Sequence, residues 1–154
     1  MNILIIENEI YLAQKVVSRL LDDGHSCDYI ESPNIDNLTK DYDTILLSTS
    51  LPSALCKNII KKYSENSIIL LLVSYISDET VTNPIKDGAK DYIMKPFIMD
   101  ELIRKIYHYK DCRSLKRELQ TLREYFEFTM TDIDTTDVLL PPSFPTLIES
   151  NSQK

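Results

Sequence analysis

Residues 67–73 read Ser-Ile-Ile-Leu-Leu-Leu-Val, the most apolar run in the chain. A short, continuous run of this kind suits a strand buried on both faces, here a central one. Working outward, Thr44–Ser48 (TILLS) and Asn2–Ile6 (NILII) have the same character, while Ser26–Ile30 and Asp91–Met94 are weaker strand candidates. Between them the apolar period changes from continuous to helical. Ala13, Val16, Val17, Leu20 and Leu21 mark one helix face. Asp22-Asp23-Gly24 ends it, with Gly24 suited to the left-handed position after a helix. Ile35 and Leu38 suffice for a short helix within 33–41. Leu55, Ile59, Ile60 and Tyr63 predict another, with Lys57, Lys61 and Lys62 on its wet side. Ser77-Asp78-Glu79 looks like a helix start, but Pro84 lacks a donor and should leave that helix short or bent. Pro96 starts the turn into a last helix beginning near Met99. Five strands alternating with helices predict an α/β fold, its parallel sheet covered on both faces through right-handed crossovers. Ligand sites in such sheets lie outside the carboxyl ends of the strands. Those ends are Glu7-Asn8-Glu9, Ser48-Thr49-Ser50, Ser74-Tyr75 and Lys95-Pro96.

The chain has 154 residues, enough for about one domain. A formal charge of -7 argues against this piece docking alone on nucleic acid or an acidic membrane. No run approaches the roughly 20 apolar residues of a membrane span. The start, MNILIIENE, has no basic segment and carries charge by residue 7, unlike a secretion signal. Gly24 and Gly88 are the only glycines, so neither GxGxxG nor GxxxxGK[ST] can be written. Cys27, Cys56 and Cys112 lie far apart, with no CxxC and no Cys/His ligand spacing. The expectation is a reduced cytoplasmic protein without cofactor or metal.

After about residue 110 the composition changes. Cys112, Leu115, Leu119, Leu122 and Phe126 follow a 3-4-3-4 spacing among Arg, Lys and Glu, a seam of two heptads continuing the last helix. Leu102, Ile106 and Tyr109 hold a slightly different phase, as across a stutter. Beyond Thr129 periodicity is lost and the composition turns acidic and rich in Thr and Pro. The expected organisation is a domain over 1–110, a helical extension over 111–128, and a linker or the start of a further domain over 129–154.

Four segments together point to a family. ILIIENE (3–9), ILLSTSLP (45–52), LLVS (71–74) and DGAKDYIMKPF (87–97) resemble a two-component receiver domain over about residues 1–110. The resemblance implies a flavodoxin-like (βα)5 fold with a five-stranded parallel sheet. In that family a histidine kinase phosphorylates an Asp at the end of the third strand, and an acidic pair at the first strand holds Mg²⁺. A Thr or Ser and a Lys bind the phosphoryl oxygens. Lys95 matches the lysine, Ser74 the hydroxyl residue and Tyr92 the switch aromatic. The rest departs from the pattern: Ser48 stands at the phosphoacceptor position, Glu7-Asn8 replaces the acidic pair, and Tyr75 stands where a small residue is usual.

Neutral Asn8 and Ser48 remove two charges that a hard cation would need. A serine hydroxyl also lacks the carboxylate's readiness to form an acyl phosphate, and no base stands beside it. The resemblance therefore implies a degenerate pocket of Glu7, Asn8, Ser48, Ser74 and Lys95, with Lys95 bonding to Glu7 or Ser48 and locking it. Neither enzymatic activity nor a cognate histidine kinase is expected. Glu9 is read as a helix-start residue favoured by the dipole, and Tyr92 either as packing or as the switch. Cys56, in the first turn of its helix beside Lys57, and Cys112 on the seam suggest redox sensing. Burial of such cysteines as small hydrophobes is the competing reading.

The pattern most resembles the orphan, aspartate-less regulators of epsilonproteobacteria. It implies a phosphorylation-independent receiver and dimerisation module that controls transcription through a DNA-binding domain outside this chain. DNA would be met only there. The expected homodimer uses the last helix, fifth by the family's count, and its extension: Leu102, Ile106, Tyr109, Leu115, Leu119, Leu122 and Phe126. The alternatives are a stand-alone signalling adaptor and a redox-responsive regulator acting through its cysteines.

Overall fold

In the computed structural model, which describes residues 1–132, the five apolar runs become five parallel strands. They are β1 (Asn2–Ile6), β2 (Ser26–Ile30), β3 (Thr44–Ser48), β4 (Ile68–Val73) and β5 (Asp91–Met94), in the order β2-β1-β3-β4-β5. Every residue of β3 and β4 is buried, as a continuous apolar run requires. The pleat sends alternate side chains to opposite faces. Leu4, Ile6, Ile45, Leu47, Ile69 and Leu71 join one core with Ile59, Ile60 and Tyr63 of α2 (Ser53–Tyr63). Ile3, Ile5, Leu46, Leu70, Leu72 and Ile93 join the other, beneath α1 (Ile10–Asp22) and the start of α4 (Met99–Asp132). Each buried Leu or Ile contributes about 1.5–3 kcal/mol.

Two connections differ from regular crossovers. The helix expected within 33–41 is reduced to one 3₁₀ turn, Ile35–Asn37. Side chains take over the groups that a helical ladder would use. The Asn34 side chain accepts from the Asp36 N–H at 3.1 Å. Lys62 Nζ donates to the carbonyls of Ile35 and Leu38, and the Tyr63 hydroxyl donates to the Lys40 carbonyl at 3.2 Å. Leu38 is drawn into the core.

After β4 a π-helical turn (Asp78–Thr82) leads into the one-turn helix α3 (Asn83–Asp87), short as Pro84 predicts. Pro84 sits at the start of α3, where its missing N–H costs little. Ser77 Oγ accepts from the Thr80 N–H and Thr80 Oγ1 from the Ser77 N–H, a reciprocal cap. Gly88 follows with φ +133°, where an added Cβ would lie 2.6 Å from Ser64 Cβ.

The chain divides into two compact units, Met1–Cys112 and Arg113 onward. Residues 129–132 remain helical rather than beginning the expected linker; its remainder, 133–154, lies outside the described residues. One expectation for α4 is corrected. Leu102 and Ile106, placed on the pairing face, are 0% and 1% exposed and belong to the core with Ile103. Tyr109 is half-buried against the same core, its hydroxyl donating to Asp91 at 3.0 Å. These residues cover Leu70, Leu72 and Ile93, so they are not available to a second copy. Leu115, Leu119 and Leu122, by contrast, are 59%, 58% and 55% exposed, and Phe126 is intermediate. No helix among the described residues is long and apolar enough to cross a membrane.

Candidate functional site

Three strand ends converge on one ammonium group. Glu7 continues the β1 ladder: its N–H donates to the Ile30 carbonyl at 3.3 Å, and its carbonyl accepts from the Tyr29 hydroxyl at 3.0 Å. This backbone anchoring leaves the side chain completely buried. Lys95 likewise extends β5, its N–H donating to the Val73 carbonyl at 2.8 Å before a cis bond to Pro96. Its Nζ lies 2.7 Å from Glu7 Oε2, 3.2 Å from Ser48 Oγ and 3.5 Å from Glu9 Oε1. An ammonium carries three donor protons. Three oxygens from β1, β3 and the β1–α1 turn therefore surround it.

The Glu7–Lys95 contact is an ion pair that falls short of hydrogen-bond geometry, so charge rather than directionality satisfies Glu7 Oε2. Glu7 Oε1 accepts from the Glu9 N–H at 3.1 Å, and Ser48 Oγ from the Ser50 N–H at 3.3 Å. Taking two charges out of water is tolerated only with such close pairing and bonding of the remaining groups.

Of the residues expected here, Glu7, Ser48 and Lys95 come together. Asn8 and Ser74 are at the corresponding strand ends but are exposed, outside this network. Tyr75 is also exposed, and with Ser74, Ser50, Ser53, Glu79 and Thr80 it borders an open cleft of about 460 Å³ beside the β3 end. Tyr92 is half-buried and packs against the α2-side core. Glu9 is the N-cap residue of α1, at the helix start as expected; its side chain makes no capping bond and also lies 3.5 Å from Lys95 Nζ. Its proximity came from the turn geometry, which the spacing alone did not express.

The donor set does not suit Mg²⁺. Glu7 is already neutralised by Lys95, while Ser48 and Asn8 contribute no charge, and a hard cation is held chiefly through carboxylates and waters.

The redox reading of Cys56 is corrected. The residue is 4% exposed, and its Sγ lies 3.6 and 3.8 Å from the carbonyls of Ser48 and Leu51. Burial pushes it up to about 11, so the reactive thiolate is suppressed despite the helix start and Lys57. Cys112 is half-exposed.

A second polar cluster was not anticipated. Asp91 Oδ2 accepts from Lys105 Nζ at 2.9 Å and from the Tyr109 hydroxyl, tying the first strand residue of β5 to α4. Burial pushes the Asp91 carboxyl up, but Lys105, the Tyr92 N–H and Tyr109 overcome it and hold it below the ordinary carboxylate range. Burial and Asp91 together push Tyr109 up to about 12. The i, i+4 spacing of Lys105 and Tyr109 was the available signal.

No protein-family model matches the chain. Relatives are nevertheless clear. The chain is 36% identical over 112 residues to the response regulator ArlR of Staphylococcus haemolyticus, covering 68% of this chain and 50% of the relative. It is 32% identical over 113 residues to the transcriptional regulatory protein DltR of Streptococcus agalactiae, covering 69% and 50%. The chain thus spans about half the length of these curated relatives. Among solved structures, a CheY-like response regulator receiver domain protein from Methanospirillum hungatei superposes with a TM-score of 0.68 at 20% identity, covering 75% of this chain and 97% of that one. The five-stranded parallel sheet with its strand order, the convergent strand ends and these similarities lead to one conclusion: the chain has the CheY-like receiver fold, and its homologues are response regulators.

Proposed function

We propose that this chain is the receiver and pairing module of a response regulator that works without aspartyl phosphorylation and controls transcription through a DNA-binding domain outside these residues. The observation that carries the proposal is the engagement of Lys95 by Glu7 at 2.7 Å and by Ser48 at 3.2 Å. In a phosphorylated receiver that lysine would bind phosphoryl oxygens; here a buried carboxylate and a serine hydroxyl hold it in place. The pocket is locked in one state by its own side chains. An aspartate-less regulator of the epsilonproteobacterial kind fits this arrangement, and so does a protein with no cognate histidine kinase. The role requires no catalysis by the chain, and its relatives' place in transcriptional regulation supports the assignment of output.

The protein is to be incubated with Mg²⁺ and acetyl phosphate, and separately with Mg²⁺ and beryllofluoride, while intact mass and amide NMR spectra are recorded. The expected result is no added phosphoryl mass and no shift at Glu7, Ser48 or Lys95. A hydroxylamine-labile adduct, or a saturable Mg²⁺ shift at those residues, would overturn the locked pocket.

Pairing rests on a different feature. Leu115, Leu119 and Leu122 are more than half exposed on α4. Burying each against a second copy would contribute about 1.5–3 kcal/mol, part of it offset by the entropy of association. Sedimentation of the chain beside its Leu119→Glu/Leu122→Glu variant tests this: a dimer and a folded monomer are expected, respectively.

A further inference from the structure

The chain has no CxxC, yet α4 brings two ligand types one helical turn apart. His108 and Cys112 are at i and i+4, with His108 Nε2 and Cys112 Sγ separated by 3.8 Å. Tetrahedral zinc holds thiolate at about 2.3 Å and imidazole at about 2.0–2.1 Å, which places the two donor atoms about 3.6 Å apart. The pair therefore already spans the bite of one zinc ion. His108 is exposed and Cys112 half-exposed, so both donors are accessible.

One chain supplies two ligands, and among the described residues no group of three or more His, Cys, Asp or Glu side chains assembles to hold a metal. The remaining two come from symmetry. Cys112 opens the 3-4-3-4 series that continues through Leu115, Leu119, Leu122 and Phe126, and His108 is the preceding member of the same series. In a parallel pair of helices, members of this series face their own copies across a two-fold axis. Adjacent layers four residues, about 6 Å, apart would then present two imidazoles and two thiols to one point on the axis. Lys105 precedes His108 in the series, and its ammonium is held by Asp91 at 2.9 Å, so this cation is drawn away from the layer above.

We infer that His108 and Cys112 of two copies form an intersubunit Cys₂His₂ site for a thiophilic divalent cation, zinc above all. The inference rests on the pairing proposed above and adds that the two helices run parallel. Binding releases two thiol protons to solvent, leaving two thiolates, two neutral imidazoles and one Zn²⁺. The four ligands carry a charge of −2 that the ion neutralises, and no coordination position is left open, which is the character of a structural rather than a catalytic site. Metal uptake would therefore strengthen pairing and become steeply weaker in acid, as the thiols and imidazoles hold their protons.

The test uses the full 154-residue chain with a non-thiol reductant. Co²⁺ serves as a spectroscopic probe and Zn²⁺ is titrated in competition, with sedimentation recorded in chelator and in metal. The expected results are one metal per two chains and thiolate-to-cobalt charge-transfer absorption that zinc displaces. Cys112→Ser and His108→Gln should each abolish that absorption, while Cys27→Ser and Cys56→Ser should retain it. One metal per chain, or absorption surviving Cys112→Ser, would overturn the site. A dimer in chelator that takes up no metal overturns the site and leaves the pairing intact. A monomer in both conditions overturns both.

Discussion

In the unit Met1–Cys112 even a charge pair is buried, whereas in the unit beginning at Arg113 even leucines are exposed. Glu7 and Lys95 have side chains 0% and 9% exposed, and Leu115, Leu119 and Leu122 are each more than half exposed. Polarity alone would place them the other way. The difference lies in what surrounds each side chain. Around Glu7 and Lys95, strands β1, β3 and β5 are fixed by the sheet ladder, so opposite charges and a hydroxyl converge without further ordering. Along the second half of α4, Leu115, Leu119 and Leu122 stand on one helix face with more than half of each side chain open to solvent. Burial of charge marks a finished site; exposure of a leucine series marks a surface that a partner completes.

The largest expected effect comes from breaking the buried pair on one side. Lys95→Met leaves Glu7 charged and unpaired, and should cost about 3–5 kcal/mol in urea unfolding at neutral pH. The double variant Glu7→Leu/Lys95→Met should recover most of that loss. If the single variant is as stable as the parent, the pair is not holding the strand ends together.

Next is the buried half of α4. Leu102→Ala should lower stability by about 2–5 kcal/mol, the usual range for emptying a packed core position. At the other half of the helix, Leu119→Glu should change the unfolding free energy of the receiver unit by no more than about 0.5 kcal/mol while altering sedimentation. Equal losses at the two positions would erase the distinction between the halves.

Thiol chemistry sharpens the same contrast on a smaller scale. With its thiol buried and pushed up to about 11, Cys56 should alkylate much more slowly at pH 8 than half-exposed Cys112. Peptide mapping after timed iodoacetamide treatment gives the order. Comparable rates would show that the helix start, not burial, governs Cys56.

The smallest effect is a pH dependence at the base of α4. Asp91 is held below the ordinary carboxylate range in the folded state. Its stabilising contribution is therefore present above the unfolded value of about 3.9 and is lost as pH falls through the folded value. Asp91→Asn should flatten the acid limb of the stability curve, read by urea unfolding between pH 5 and 3. An unchanged limb would exclude the Asp91–Lys105–Tyr109 cluster as an acid-labile tie.

Much was legible before any tertiary information. Continuous apolar runs at 2–6 and 44–48 report strands covered on both faces, and the three-and-four spacing of Ala13, Val16 and Leu20 reports a helix with one buried side. Pro84 announced a short helix because a missing donor is tolerated only at a helix start. Chemical identity also travelled with the sequence: a serine at the third strand end has no carboxylate in any fold.

Tertiary structure decided what periodicity is unable to state, namely what covers each apolar face. Leu102 and Leu119 belong to helical patterns of similar strength, yet only the first lies over the sheet. Residues 33–41 had enough apolar spacing for a helix, but Lys62 and Tyr63, far along the chain, took their carbonyls. Cys56 stood at a helix start that favours thiolate, until packing against β3 removed the water that stabilises charge. Glu7, Ser48 and Lys95 are local in none of the sequence windows, and their convergence depends on parallel strands ending at the same level. Local spacing is set by covalent geometry and is therefore written in the chain; burial and charge pairing are set by long-range contacts and exist only once the sheet has closed.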